Sequence, residues 1–519
     1  MTVRRGLETA LRRLRPIDGK PLVIWVDALC IDQQNFQERG EQVGKMQMIY
    51  QHAKEVLVWL GPHCDTSPLA WQLVKDLYDC RGDTVALSNL IQPSKRPDFN
   101  ALITLFRRPY WWRIWVIQEV ACAKSVTVYC GSDSVAWSDL QAVCDLVKDA
   151  RDHIRDVIYH DKPASVLSLT RGGPRSLIMP NYSHASFSDG NLPTLFELLR
   201  THMSKLSTEP PDKVYGLVGI SSSRNSFQID YNRSIRSTYI YTARHIIPTT
   251  RKLDLICLQQ NDNNKHDLPS WVPDWERRNL YPEHRVIGLH IRKPPFTASK
   301  SSLAKVSISE DGEVLTAAGF VIDTVSITSQ PLYVQGSESE VLPTLKIFLN
   351  WWNVFTEARA ASTVEYNIFQ RTFLGGDWAP EYSEFEEDRL ALFFGLLRKL
   401  LPEAVEGGTS IPAIIHQNKV PDDVLEKREY AMVASGALRM HAKRFVISSS
   451  KLVGLAPMAT EKGDKVVLLL GCAFPVVLRE IDERRWKLMG EIYVDGIMFG
   501  EAMDGLLFGR LVEENFNIW

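Results

Sequence analysis

The sequence predicts an α/β protein: an open, mainly parallel sheet with flanking helices at the N-terminus, a mainly helical middle section, and an α+β C-terminal region that ends in a small β-rich tail. Three observations predict it. Between Leu22 and Leu60 the pattern runs strand, helix, strand, the length of one parallel crossover unit. Leu22-Val23-Ile24-Trp25-Val26 is an unbroken apolar run, as in a strand covered on both faces. From about residue 303, helical spacing gives way to short strands broken by turn residues. At 519 residues the chain exceeds one ordinary core, and the pattern changes divide it into 1–150, 151–300 and 301–519.

The elements follow in order. Residues 4–15 carry Leu7, Leu11 and Leu14 at helical spacing, and Pro16 with Asp18-Gly19 ends that helix. After the Leu22–Val26 run, Asp32 and Asn35 are suited to cap a helix from about Gln37 to Lys54, whose apolar face is Val43, Met46, Ile49, Tyr50 and Ala53. Val56–Leu60 reads as a second strand and Val126–Cys130 as a third, with helices at about 67–79, 98–107 and 111–124 between them. Residues 161–191 are rich in Pro, Gly, Ser and Asn and read as a long loop. Helices are expected over 192–203 and 237–247. Lys305–Ser309 and Val314–Val325 flank Glu310-Asp311-Gly312-Glu313, a hairpin signal. Further helices are expected at roughly 340–359, 385–401 and 422–443, and short strands over 444–511 with turns at Gly463-Asp464 and Asp495-Gly496.

Composition narrows the function. The chain is 45% hydrophobic and 24% charged, and its net charge of −2 offers no electrostatic footprint for nucleic acid. The longest apolar run, Val466–Leu478, is too short to span a bilayer, and residues 1–20 hold no apolar signal segment. The eight cysteines form no CxxC pair, so no metal site is expected and a reducing, cytoplasmic setting fits. There is no GxGxxG, no GxxxxGK[ST] and no G-x-S-x-G, so redox use of a dinucleotide, ATP hydrolysis and serine-hydrolase chemistry have no motif behind them.

Two acidic positions stand out. Asp27 ends the first apolar run, and ligands of open parallel sheets bind beyond the carboxyl ends of strands, so Asp27 and Asp32 lie near the expected crevice. The competing role for Asp27 is a local cap of the turn into the next helix. On the helix around 111–124, Trp112, Trp115, Val116, Glu119, Cys122 and Ala123 share one stripe, which sets Glu119 in an aromatic, apolar face. Burial there raises a carboxyl pKa unless a cation pairs with it, and Arg113 or Arg108 is suited to do so; a structural ion pair competes with a functional acid.

Four ordered stretches carry a family resemblance. Trp25-Val26-Asp27-Ala28-Leu29-Cys30-Ile31-Asp32-Gln33, continued by Glu38-Arg39, Gln42-Val43, Met46, Ile49-Tyr50 and Val58-Trp59-Leu60-Gly61, is one. Arg108-Pro109-Tyr110-Trp111-Trp112-Arg113-Ile114-Trp115-Val116-Ile117-Gln118-Glu119-Val120 is the second. Pro211-Asp212-Lys213-Val214-Tyr215-Gly216-Leu217, with Pro269-Ser270-Trp271-Val272-Pro273-Asp274-Trp275 beyond it, is the third, and the fourth lies in the tail from Gly454-Leu455-Ala456-Pro457 to Asp495-Gly496. Together they resemble the fungal heterokaryon-incompatibility (HET) domain family. That family opens on a "Y.ALSY.WG" strand upstream of a helix resembling residues 4–15; nothing here precedes the helix, so the expectation is a domain lacking its usual first motif.

The resemblance implies a role in fungal non-self recognition and programmed cell death, with a protein partner or self-association. The HET domain is remotely similar to the Toll/interleukin-1 receptor (TIR) fold, a flavodoxin-like sheet some of whose members cleave NAD at its nicotinamide–ribose bond with a glutamate in a Trp-x-x-x-Glu-like context. Carried onto this chain, Glu119 is the catalytic candidate, and Asp27, Asp32, Trp112, Arg113 and Trp115 are ligand-binding candidates. NAD enters as substrate and no cofactor is expected. The alternatives are a non-catalytic adaptor and an inactive truncated relative.

Overall fold

The computed structural model describes residues 5–16, 21–159, 163–177, 191–258, 264–276, 296–332, 341–359, 363–373, 397 and 441–519. Contacts group the chain into two compact units, 1–234 and 235–519.

The first unit begins with α1 (Arg5–Leu14), one turn of helix α2 (Asp27–Cys30) and α3 (Phe36–His52). Asn35 caps α3 by accepting from the Glu38 amide at 3.2 Å. Val43, Met46 and Gln47 face the interior. Then come β1 (Val56–Trp59), α4 (Ser67–Asp79), α5 (Thr84–Leu90), α6 (Arg96–Phe106), α7 (Trp115–Cys122), β2 (Val126–Cys130) and β3 (Asp133–Ala136). Strand β1 pairs parallel with β2 from Val56↔Val126 to Trp59↔Tyr129, and β3 folds back antiparallel on β2. Helices α8 (Trp137–Asp149), α9 (Arg151–Val157), α10 (Pro163–Arg171), α11 (Leu195–Thr201) and α12 (Asp212–Val218) complete the unit. The start of α11 is held by a reciprocal Thr194–Glu197 capping box.

Two expectations are corrected here. Leu22–Val26 is not a strand in this structure: it is extended but carries no ladder, and Leu22, Val23 and Ile24 are exposed, Val23 by 97%. An apolar run becomes a buried strand only where a neighbouring backbone pairs with it, and among the described residues the sheet holds only β1, β2 and β3. The segment 161–191 is not one long loop, because Pro163 opens helix α10 and a 3₁₀ turn spans Gly173–Leu177. Proline in the first helical turn costs no hydrogen bond.

The second unit contains α13 (Ile235–Thr250), β4 (Val306–Ile308), β5 (Leu315–Thr328), α14 (Val341–Ala358), α15 (Thr363–Phe373), β6 (Lys443–Ser448), β7 (Val453–Pro457), β8 (Lys465–Leu469), β9 (Val476–Asp482), β10 (Arg485–Glu491), β11 (Tyr493–Val494), α16 (Glu501–Leu507) and β12 (Glu514–Ile518). The β4–β5 hairpin turns at Gly312, whose φ of +78° suits glycine. Strand β5 pairs with both β12 and β8, and β12–β10–β9–β8 supplies the rest of the circuit, so the sheet closes on itself as a barrel. The far end of β5 carries a β6–β7–β11 extension. Phe320, Val466, Leu468, Val477, Met489 and Ile492 belong to the buried core. Trp352, Phe355 and Phe348 of α14 meet Phe369 of α15 at ring separations of 5.0–5.8 Å, and Phe369 reaches Phe445 of β6 at 5.3 Å. The helices expected over 385–401 and 422–443 lie outside the described residues, apart from helical Leu397 and residues 441–443, where a turn leads into β6 at Lys443.

Candidate functional site

The surroundings of Glu119 are built from three pieces of the first unit. Asp27 begins α2, directly after the extended Leu22–Val26 segment. Tyr50 comes from the last turn of α3, and Trp25 meets its ring edge-on at 5.7 Å. Tyr110 and Arg113 come from the 3₁₀ turn Pro109–Trp112 and its C-cap, and Glu119 from α7. The short turn sets Tyr110 back against α7, so that its hydroxyl donates to Glu119 Oε2 at 2.9 Å.

The electrostatics of these groups interlock. Burial pushes the Glu119 carboxyl above its ordinary pKa, the Arg113 charge and the Tyr110 hydrogen bond pull it back, and Asp27 adds to the rise. Burial works against the Arg113 charge, but Glu119, Asp27, Tyr110 and Tyr50 together hold that guanidinium more firmly protonated than usual. Tyr50 and Tyr110 are raised well above the ordinary phenol value, by burial first and Glu119 second, so both stay neutral donors. Glu119, Asp27 and Tyr50 nevertheless keep part of their surface accessible. A carboxyl group set among protein groups yet partly accessible is the kind of environment in which functional acids are found.

The structure thus brings Asp27, Arg113 and Glu119 together. Asp27 also serves the local role, accepting from the Ala28 amide at 2.7 Å. Asp32 stands apart: it is exposed, its carboxylate accepts from the Gln34 amide at 3.0 Å, and its own amide donates to Glu38. Trp112 is 37% exposed and precedes α7 rather than continuing its stripe. Trp115 donates from its indole to Asp212 Oδ2 at 3.3 Å. The same carboxylate accepts from Tyr231 at 2.6 Å and pairs with Arg39 at 3.3 Å, whose guanidinium lies 3.9 Å over the Tyr231 ring. This second network ties α3, α7 and α12 together. Asp212→Ala is expected to destabilise the chain by about 3 kcal/mol in denaturant unfolding, since it strands a nearly buried arginine; a loss under about 1 kcal/mol would show that water replaces the carboxylate.

Sequence reasoning missed Tyr50 and Tyr110 as site residues. Helical spacing places Tyr50 on the core face of its helix, and Tyr110 lies in a motif dominated by its tryptophans. The available signal was a phenol at the edge of an otherwise apolar stripe, because a buried hydroxyl needs a partner. A separate cleft of about 380 Å³, lined by Gly40, Gly44, Gly219, Arg224 and Asp230 among others, contains none of the candidate catalytic or ligand-binding residues named from sequence. Among the described residues no group of three His, Cys, Asp or Glu side chains is placed to hold a metal ion, and no helix is long and apolar enough to cross a membrane.

Comparison with known proteins gives two matches to family models. Residues 1–119 match the heterokaryon incompatibility protein (HET) family, and residues 413–506 match the Het-6 beta-barrel domain. Over 96% of its length the chain is 25% identical to Heterokaryon incompatibility protein 6, OR allele, of Neurospora crassa, 85% of which is covered. No solved structure matches.

Proposed function

We propose that this chain, which belongs to the heterokaryon-incompatibility (HET) domain family, acts in fungal non-self recognition and cell death by cleaving the nicotinamide–ribose bond of NAD at the Glu119 crevice. The observation that carries the reading is the environment of one carboxyl group: Glu119, fixed by Tyr110 at 2.9 Å, interacts electrostatically with Arg113, Asp27 and Tyr50. Loss of nicotinamide builds oxocarbenium character on the ribose. A carboxylate poorly compensated by solvent gains most from positive charge that develops beside it, so its stabilisation falls on the transition state. Tyr50 and Tyr110, kept neutral by burial, are suited to donate to ribose oxygens, and Arg113 to hold a phosphate oxygen. Incubating the purified chain with NAD and measuring free nicotinamide tests this; no release above a boiled control, with the folded state verified, overturns it.

A second reading, a non-catalytic adaptor that works by association, is favoured by Leu22-Val23-Ile24. Three adjacent exposed apolar side chains on an unpaired extended backbone form a template for a further strand. Val23→Asp is expected to change stability by less than about 0.5 kcal/mol, because nothing packs on that side chain. In light scattering the same variant should lose any self-association of the parent; association unchanged by the new charge would remove this reading.

A further inference from the structure

The carboxyl ends of the two parallel strands gather a group of side chains that the Glu119 crevice does not use. Beyond β1 the chain turns through Gly61-Pro62-His63 to Cys64, while β2 ends at Cys130. Parallel pairing sets these ends side by side, and the Gly131 amide donates to the Gly61 carbonyl at 2.9 Å. Cys64 is exposed and stands just ahead of helix α4. Its Sγ lies 3.2 Å from Ser67 Oγ, 3.4 Å from Thr66 Oγ1 and 3.6 Å from Arg108 Nη2. Arg108 is itself held in place, donating to the carbonyls of Leu60 and Pro62 at 2.9 and 2.8 Å and to Ser67 Oγ at 3.1 Å. Cys130 is fully buried, with its Sγ 3.9 Å from the same Ser67 Oγ. One hydroxyl therefore touches both sulfurs. His63 is taken up by Asp133 at 3.0 Å, so the group around Cys64 is a guanidinium and two hydroxyls rather than a histidine base.

We propose that Cys64 is a peroxide-sensitive modification site and that Cys130 is its resolving thiol. The Cys64 thiolate attacks hydrogen peroxide, breaking the O–O bond; the sulfur becomes a sulfenic acid, and the departing hydroxide takes up a proton to leave as water. The Cys130 thiol then attacks the sulfenic sulfur and expels a second water, leaving a Cys64–Cys130 disulfide. The two thiols supply the two electrons that reduce the peroxide.

The environments of the two sulfurs divide the roles. Hydrogen bonds from Ser67 and then Thr66, aided by Arg108, pull the Cys64 thiol down to about 6, so most of it is thiolate at neutral pH. Burial pushes Cys130 up, keeping it a protonated thiol until Cys64 is oxidised. Closing the bridge requires the Ser67 hydroxyl, which contacts both sulfurs, to give up those contacts. A disulfide here would tie the turn after β1 to the end of β2. The site is independent of the Glu119 reading.

Cys30 provides an internal comparison, since it too is exposed but has no hydrogen bond to its sulfur among the described residues. The full chain would be treated with stoichiometric hydrogen peroxide at pH 7, trapped with dimedone and iodoacetamide, and mapped by mass spectrometry. Cys64 should be consumed at least about threefold faster than Cys30, the higher thiolate fraction being partly offset by lower intrinsic nucleophilicity. The main product should be a Cys64–Cys130 peptide pair that dithiothreitol reverses. In Cys130→Ser the dimedone adduct should accumulate on Cys64. The proposal is overturned if Cys64 reacts no faster than Cys30, or if its product in the unsubstituted chain is a disulfide to any other cysteine or an unresolved sulfenic acid.

Discussion

Replacing Glu119 with glutamine is expected to lower nicotinamide release by about 10²–10³-fold, about 2.7–4 kcal/mol of transition-state stabilisation, while the chain stays folded. Glutamine preserves the shape of the side chain and an oxygen for Tyr110 to donate to, so the crevice geometry survives and only the charge is lost. The sign of the stability effect separates this from a merely structural role. Glu119 has a folded-state pKa above its ordinary value, chiefly through burial. A group of that kind contributes stability that is fully present below the unfolded pKa and is lost as pH rises through the folded pKa. Ionising this carboxyl in the native chain therefore carries a cost that glutamine does not bear. Glu119→Gln should melt at the same temperature as its parent or higher, with the difference growing as pH rises. The catalytic form is the ionised one, so kcat/KM should fall on the acid side along a limb displaced upward from the ordinary glutamate range. A glutamine variant that melts lower at neutral pH and keeps its turnover would identify Glu119 as a structural acid instead.

Much of this site was legible because its chemistry lies in two contiguous motifs. Asp27 follows an apolar run, and Arg113 and Glu119 are six residues apart on a tryptophan-rich stretch. Composition did not reveal which way each side chain turns. Trp115 is one helical turn from Glu119, and its indole nevertheless goes to Asp212, a carboxylate from a distant motif. Asp32 had equal claim to the crevice by position, but a short acidic side chain beside free amides satisfies them locally. The strands show the same division. Val56–Trp59 and Val126–Cys130 find each other and form a ladder; Leu22–Val26, as apolar as the first of them, pairs with no strand among the described residues, and its Leu22, Val23 and Ile24 stay exposed. Apolar content states a demand for burial, and only tertiary placement meets it. In the C-terminal unit the short strands and the Gly312 and Gly463 turns are local signals. Closure of the barrel is not local: it depends on one long strand, β5, pairing with β12 near one end and β8 further along.

Cutting the Lys443–Glu491 ion pair from one side should cost the C-terminal unit about 3–5 kcal/mol, the largest stability effect expected in this molecule. Lys443 opens β6 in the extension, Glu491 closes β10 in the barrel, and their side chains are 1% and 0% exposed. Neither charge can turn to water, so Glu491→Ala takes the counter-charge from a buried ammonium group, and Lys443→Met takes from the buried carboxylate the cation it pairs with. Replacing both, as Lys443→Met with Glu491→Leu, removes the desolvation cost along with the attraction and should recover most of the loss. The asymmetry between single and paired changes identifies the role of the pair. It adds little net stability over an apolar contact, but it specifies which position of the extension meets which position of the barrel, because any slip of β6 against β10 would strand both charges. Hydrogen exchange of peptides spanning β6 and β10 reads the local opening energy directly. The single variants should open more readily by about 3–5 kcal/mol and the double variant by much less; single variants within about 1 kcal/mol of the parent would mean that water reaches the pair and that the register of the extension is set by its backbone ladder alone.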